Sequence, residues 1–137
     1  MAATAATRSA TAAAPSPQAA IQRYALAYTN WYASTLPAHE RALASLAVGP
    51  AQRTDEQTAS SQSRAKELAE DHVRNKSVVL AITPGTGPAH GQWIIVTLEQ
   101  TTGTGPYAGL PASPHVTIAQ TIQLGHRWAV SEWNPQT

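Results

Sequence analysis

The stretch Lys76 to Ile82, KSVVLAI, marks the change from helical to extended sequence and decides the fold. Before it, apolar residues recur at three- and four-residue spacing, which is typical of amphipathic helices. After it, β-rich runs alternate with turns rich in glycine and proline, which is typical of strands. A group of helices followed by a group of consecutive strands predicts an α+β domain, with the helices packed on one face of an antiparallel sheet.

Three helices are predicted before this stretch, and the first is the best defined. Ser16-Pro17 pairs a capping serine with a proline suited to the first helical position, so the helix begins there. Its apolar stripe is rich in aromatic residues: Ile21, Tyr24, Ala25, Tyr28, Trp31, Tyr32 and Leu36. The stripe predicts the heaviest packing element of the chain.

The other two helices are predicted from proline, glycine and capping signals. Pro37 can open the second helix, and Gly49-Pro50 is a strong stop signal at its end. Its predicted buried face is Ala42, Leu43, Leu46 and Ala47. The third helix is predicted from about Thr54, because Thr54 and Gln57 have capping-box spacing, and its thin apolar strip predicts a half-exposed position.

Four strands are predicted in sequence order: Ser77 to Ile82, Gln92 to Thr101, His115 to Leu124, and Arg127 to Trp133. The second strand has apolar residues on both faces, so we expect it to be central and covered on both faces over part of its length. Gly125-His126 predicts a tight turn between the last two strands. Simple alternation places Trp128 and Trp133 on opposite faces of the sheet.

The chain of 137 residues has the length of one domain. Residues 1–15 are almost entirely Ala and Thr and predict a mobile lead-in, which leaves residues 16–137 as the single domain. Nine Lys and Arg residues balance eight Asp and Glu residues, and the arginines are scattered. Nucleic-acid binding needs a clustered basic surface, so direct binding of nucleic acid is not expected.

Cysteine is absent, which excludes disulfides, thiolate zinc sites and a cysteine nucleophile. The absence fits an oxidising setting outside the cytoplasm, although many cytosolic domains also lack cysteine. No apolar run approaches the ~18 residues of a membrane span. We therefore expect either a cytosolic protein or the soluble part of a protein whose membrane anchor has been removed.

Catalytic residues, metal ligands and cofactor motifs are not expected. The five histidines lie in different predicted elements, without ligand spacing: His39, His72, His90, His115 and His126. The His39-Glu40 pair falls at the predicted start of the second helix, where the positive end of the helix dipole stabilises a carboxylate. Glu99 is in phase with Ile95 and Thr97 and so can point inward, but a position at the fraying, solvent-facing end of its strand is favoured.

The aromatic residues are the remaining candidates for function. Trp93, Tyr107 and Trp133 are predicted protein-interaction residues, because exposed Trp and Tyr side chains anchor many interfaces. A position at the rim of the core is an equally good interpretation of these side chains. In the alternative, a pocket between the first helix and the sheet would use Tyr28, Trp31 and Glu99.

Four segments together resemble a known superfamily: the Tyr/Trp-rich first helix, Leu43 to Pro50 (LASLAVGP), Trp93 to Thr97 (WIIVT) and Trp128 to Pro135 (WAVSEWNP). The chain resembles actinobacterial conjugation-associated proteins with a nuclear-transport-factor-like, cystatin-like roll. Relatives in that superfamily include the bitopic assembly component of type IV secretion systems and TcpC-type proteins of conjugative elements. The resemblance covers about residues 18–136.

The resemblance implies a curved four-stranded sheet and a domain outside the cytoplasm, held near the cell envelope by an upstream membrane helix. It implies a non-enzymatic scaffold of a DNA-transfer apparatus that acts through contacts with other apparatus proteins and through self-association. The alternative function is a small-molecule binder, or an isomerase or dehydratase, on the same roll. A deep open pocket based on Glu99 or a histidine would favour that alternative, whereas a cone filled by aromatic side chains would favour the scaffold.

Overall fold

The computed structural model describes residues 13–60, 63–89 and 91–136. The helices in these residues are α1 (Pro17–Thr29), α2 (Leu36–Ala44), α3 (Gly49–Ser60) and α4 (Ser63–Glu70). The strands are β1 (Trp31–Tyr32), β2 (Arg74–Pro84), β3 (Trp93–Thr102), β4 (Ser113–Leu124) and β5 (Arg127–Pro135). They form one sheet in the order β1-β2-β3-β4-β5, and every neighbouring pair is antiparallel.

The predicted α+β class, with helices on one face of a curved antiparallel sheet, is confirmed. The strand count differs, because the short β1 precedes the helix-to-strand change and adds a fifth strand at the edge. The helix count differs too, because the predicted third helix corresponds to two helices, α3 and α4.

Helix α1 is fixed at both ends by side-chain hydrogen bonds. The Ser16 hydroxyl accepts a bond from the backbone N–H of Ala19 at 3.1 Å, and Pro17 occupies the first turn. At the other end, Asn30 donates to the carbonyl of Leu26 at 2.8 Å and accepts from the backbone N–H of Ser77 at 3.0 Å. Asn30 therefore ends the helix and ties it to β2.

The predicted apolar stripe of α1 is correct only as far as Thr29, the last residue of the helix. Asn30 is extended, so Trp31 and Tyr32 pair with β2 as a strand instead of continuing the helix. Leu36 belongs to the first turn of α2, one residue before the predicted start at Pro37.

The main core lies between α1 and the inner face of the sheet. Its largest fully buried side chains include Ile21 and Tyr24 of α1, Leu43 of α2, Ile95 of β3 and Val130 of β5. Removal of this apolar surface from water is the main force that holds the helices on the sheet. A smaller cluster of Ala33, Leu68 and Val73 packs beneath α4.

The predicted alternation along β3 is observed, since Ile95 and Thr97 are buried on the inner face. Strand β3 is also central in the sheet, as expected. On the outer face Ile94 and Val96 are half-buried, whereas Leu98 is 36% exposed, so the cover on that face does not reach Leu98.

The Gly49-Pro50 pair begins α3 and does not simply end the preceding helix. Gly49 has a φ of 58°, a left-handed conformation that glycine adopts readily, and it lets the chain reverse before Pro50 enters the first turn. Thr54 consequently lies within α3, and the predicted capping box at Thr54 and Gln57 is wrong. Within the predicted second helix, Leu43 and Ala47 are buried as expected, but Ala42 is exposed.

The packed part of the chain begins before the predicted boundary at residue 16. Ala13 and Ala14 are buried, and Ala14 exchanges two backbone hydrogen bonds with Trp128, of 2.7 Å and 2.8 Å. Small side chains allow this close approach to the last strand. Residues 1–12 of the predicted lead-in lie outside the described residues.

Two β-bulges change which side chains face the core. The β4–β5 register shifts between Gln120 and Thr121, so Ser131 is an extra residue on β5. One extra residue resets the alternation, and both Trp128 and Trp133 pack against the main core. The prediction that they lie on opposite faces is therefore wrong. The second bulge places Leu80 of β2 outside the β2–β3 register.

Two isoleucines on strands provide a test of this core assignment. Ile95 is fully buried, whereas Ile122 is 46% exposed. We expect Ile95→Ala to lower the free energy of unfolding by about 3 kcal/mol, because it removes buried methylenes and leaves a cavity. Ile122→Ala should cost less than about 1 kcal/mol. Urea unfolding followed by circular dichroism measures both, and equal losses would contradict the assigned inner and outer faces.

Candidate functional site

A cavity of about 360 Å³ opens between the helices and the inner side of the sheet, next to the smaller core cluster. Residues from five regions line it: α1, the β1 to α2 segment, α3, α4, and the chain around β2, β3 and the loop after β3. The cavity is the candidate functional site.

One wall of the cavity is aromatic, formed by Tyr28, Trp31 and Tyr107. The ring of Tyr28 contacts the indole of Trp133, with ring centroids 5.5 Å apart. Trp31 and Tyr107 pack against the smaller core cluster. The predicted pocket residues Tyr28 and Trp31 are thus brought together at one cavity.

A buried carboxylate, Asp55 of α3, also lines the cavity. Its exposed fraction is only 4%, and its Oδ2 accepts a hydrogen bond of 2.7 Å from the hydroxyl of Tyr24. Burial raises the pKa of Asp55 to about 6, and the nearby charges of Glu40 and Glu56 act in the same direction. The Tyr24 hydroxyl bonds the ionised form and opposes that rise.

Glu40 of α2 is the second acid of the cavity. It lies in the middle of α2, not at its start, so the predicted interaction with the helix dipole does not apply. Burial raises the pKa of Glu40 as well. Two desolvated carboxylates therefore line one cavity, and none of the described residues that line it is Lys, Arg or His.

Glu99, the third predicted pocket residue, does not line this cavity. Strand β3 continues to Thr102, so Glu99 is not at a fraying end, and its side chain is only 19% exposed. It accepts hydrogen bonds from Asn75 at 3.1 Å and from Thr97 at 2.9 Å. Asn75 also donates to the carbonyl of Thr29 at 2.7 Å, so this polar network joins the end of α1 to the sheet.

Beside this network, Ser113, His115 and Glu99 have the residue types of a hydrolytic Ser-His-acid triad. The Ser113 hydroxyl and His115 Nε2 are 3.1 Å apart, but His115 Nδ1 and Glu99 Oε2 are 4.0 Å apart. That second separation is too long for a hydrogen bond, and both Ser113 and His115 are exposed. The carboxylate is committed to Asn75 and Thr97, so the arrangement lacks the oriented imidazole that activates a serine.

The three predicted interaction residues are all partly buried. Trp93 and Trp133 pack against the main core, and the buried Nε1 of Trp133 has no hydrogen-bond partner among the described residues. Tyr107 packs against the smaller cluster and lines the cavity. Their role in protein contacts stays a prediction.

The histidines of the described residues are dispersed. His39 Nε2 lies 2.6 Å from the carbonyl of Ala27, and His72, His115 and His126 are exposed; His90 lies outside the described residues. In residues 13–60, 63–89 and 91–136, no three histidine or acidic side chains gather where a metal ion would fit. Over the same part of the chain, no helix has the combined length and apolarity needed to cross a bilayer.

Sequence reasoning missed the two acids of the cavity. Glu40 and Asp55 belong to different helices and are 15 positions apart in the chain, so no local motif joins them. The signal that was available is modest: Asp55 lies four residues after Ala51 and four before Ala59, both buried. An acid in phase with the buried face of a helix is a candidate buried carboxylate.

No family model matches this sequence, and no curated protein matches it significantly. Solved structures do share its fold. The VirB8 protein of Agrobacterium tumefaciens superposes with a TM-score of 0.62 at 10% identity, over 88% of this chain and 90% of that one. The soluble domain of the TrwG type IV secretion machinery from Bartonella grahamii gives 0.61 at 14% identity, over 85% and 91%.

The buried acid gives the domain a predictable pH dependence. Asp55 binds its proton more tightly when folded, with a pKa of about 6 against an ordinary value of 3.8. Between these values the folded chain holds a proton that the unfolded chain has released, so the free energy of unfolding falls as pH rises. We expect Asp55→Asn to reduce that fall by about 3 kcal/mol, measured by urea unfolding at several pH values.

Glu40 leaves a residual fall in the Asp55→Asn variant, because burial raises its pKa too. Adding Glu40→Gln should flatten the profile further. A pH dependence that is unchanged by Asp55→Asn would contradict the desolvation of this carboxylate.

Proposed function

We propose that this domain is a non-enzymatic assembly component of a type IV secretion apparatus for conjugative transfer, and that it works outside the cytoplasm. The observation that carries the proposal is the shared fold: most of this chain superposes on most of the VirB8 chain and of the TrwG soluble domain. The proposed partners are other proteins of the apparatus and further copies of this chain. The sequence resemblance to conjugation-associated proteins of actinobacteria supports the same setting.

A surface suited to such contacts lies on the outer face of the sheet. Val78, Leu98 and Val116 belong to three adjacent strands, β2, β3 and β4, and are 54%, 36% and 40% exposed. Val78 and Leu98 are register partners, so their side chains are neighbours across the strands. Contiguous exposed apolar side chains are uncommon on an isolated domain and mark interaction surfaces.

The same surface reaches an open strand edge. Strand β1 pairs only with Arg74 and Asn75 of β2, so in the described residues the rest of that edge has no neighbouring strand. Leu80, 56% exposed, lies at the bulge on this edge. A bulge limits uncontrolled strand pairing, which suits an edge that meets a defined protein partner. We call Val78, Leu80, Leu98 and Val116 the outer apolar surface.

A transfer assay in the cell that encodes the protein tests this proposal. Deletion of the gene should reduce conjugative transfer, and the wild-type gene should restore it. We expect Val78→Asp/Leu98→Asp to restore transfer at least about tenfold less well, because charges on an apolar contact surface disfavour binding. These side chains are exposed, so the domain should still fold.

The matched control is Ala38→Asp/Gln57→Asp, which adds the same charges at exposed positions of α2 and α3. It should restore transfer fully, and immunoblotting should show equal protein levels. Normal transfer by the deletion strain would refute the role in secretion. Full activity of Val78→Asp/Leu98→Asp would refute the outer apolar surface alone.

The location can be tested separately because the sequence contains no cysteine. Ser34 is exposed, so Ser34→Cys offers one reactive thiol. A membrane-impermeant maleimide should label this variant in intact cells, with the unsubstituted protein as the blank. Labelling only after lysis would contradict a position outside the cytoplasm.

A further inference from the structure

The cavity joins two features that attract organic cations. Three aromatic rings, Tyr28, Trp31 and Tyr107, line the same space as two carboxylates, Glu40 and Asp55. We propose that this cavity binds a single organic cation, an ammonium or guanidinium group carried on an apolar stem. The inference goes beyond the role in secretion and does not depend on it.

The aromatic wall supplies the first attraction. The face of an aromatic ring carries partial negative charge and draws a cation to within about 6 Å of its centre, with Trp the strongest partner. Tyr28 contacts the Trp133 ring, and Trp31 packs against the smaller core cluster. These contacts hold both side chains in position without a ligand. A preformed wall avoids the entropy cost of ordering side chains on binding.

The carboxylates supply the second attraction. Asp55 is almost fully buried, and the side chain that donates a hydrogen bond to it is a neutral hydroxyl, that of Tyr24. Burial raises the pKa of both Asp55 and Glu40, which means that their negative charge is poorly compensated in the free protein. A cation in the cavity would offset that charge in a place where water screens it weakly.

The size of the cavity and its apolar lining residues define the ligand further. About 360 Å³ is at the small end of ligand sites and fits one side-chain-sized group. Leu36, Leu68 and Val73 provide apolar surface for a hydrocarbon stem. A hard metal ion is a poorer match, since Ca²⁺ takes six to eight oxygen ligands and much of this lining is carbon.

The cation can come from two sources with the same chemistry. It is either the Lys or Arg side chain of a partner protein or a free organic ammonium compound. Capped N-acetyl-arginine amide represents the first source, and choline represents the second. Each has a neutral counterpart of nearly the same shape: N-acetyl-citrulline amide and 3,3-dimethylbutanol.

Titration of the whole chain with these four probes, followed by NMR of the Trp31 indole N–H, tests the proposal. We expect at least one cation to bind with a millimolar or lower Kd and its neutral counterpart to bind at least about tenfold more weakly. Tighter binding of the arginine derivative would assign the site to a partner side chain. Tighter binding of choline would assign it to a free ammonium compound.

Charge-removing variants locate the binding. Asp55→Asn and Glu40→Gln preserve shape, and each should weaken the cation about fivefold or more while leaving the neutral probe unchanged. Glu67→Gln is the matched control, because it removes the same charge from the exposed side of α4. It should change the Kd by less than about twofold.

Circular dichroism checks that each variant is folded, and Glu40→Gln alone suffices if Asp55→Asn is unstable. Equal binding of the charged and neutral probes would overturn the proposal. So would the absence of any cation-dependent shift at Trp31, or an equal loss of affinity in Glu67→Gln. Loss of conjugative function in a cell would not bear on it, so the two proposals fail independently.

Discussion

Tyr24, at the centre of the contact between helix α1 and the sheet, satisfies two opposing demands at once. Its ring is buried in the main core against Trp133, with centroids 4.9 Å apart, and its hydroxyl donates to Asp55. A buried phenol without an acceptor, or a buried carboxylate without a donor, would each destabilise the core. This hydrogen bond joins α1 to α3, and the ring contact joins α1 to the last strand. The hydrogen-bonded acid lies at the cavity.

Local signals were sufficient for much of the fold. The start of α1 at Ser16-Pro17, the helix-to-strand change near Lys76 and the hairpin at Gly125-His126 each depend on a few adjacent residues. Gly49-Pro50 was misinterpreted because the same pair can end one helix and begin the next, and only Gly49's left-handed conformation decides. The bulges at Leu80 and Ser131 depend on partner strands, so the placement of Trp128 could not be predicted by counting alternate residues.

The candidate site was predictable only in part, for a similar reason. Tyr28 and Trp31 are near neighbours in sequence, and both line the cavity. Glu99 was in the correct phase to face inward, but Asn75 and Thr97 engage it in the network that anchors α1. Glu40 and Asp55 meet through the packing of α2 on α3, which no spacing in the sequence records.

The pairing of Ala14 with Trp128 has a mechanical consequence. The segment before α1 runs antiparallel to β5 and is joined to it by two short backbone hydrogen bonds. Tension applied to that segment along the strand loads both bonds together, in shear, before it reaches Ser16 and the helix. The two hydrogen bonds between Ala14 and Trp128 would therefore have to break before a pull on the preceding chain acts on the packing of α1.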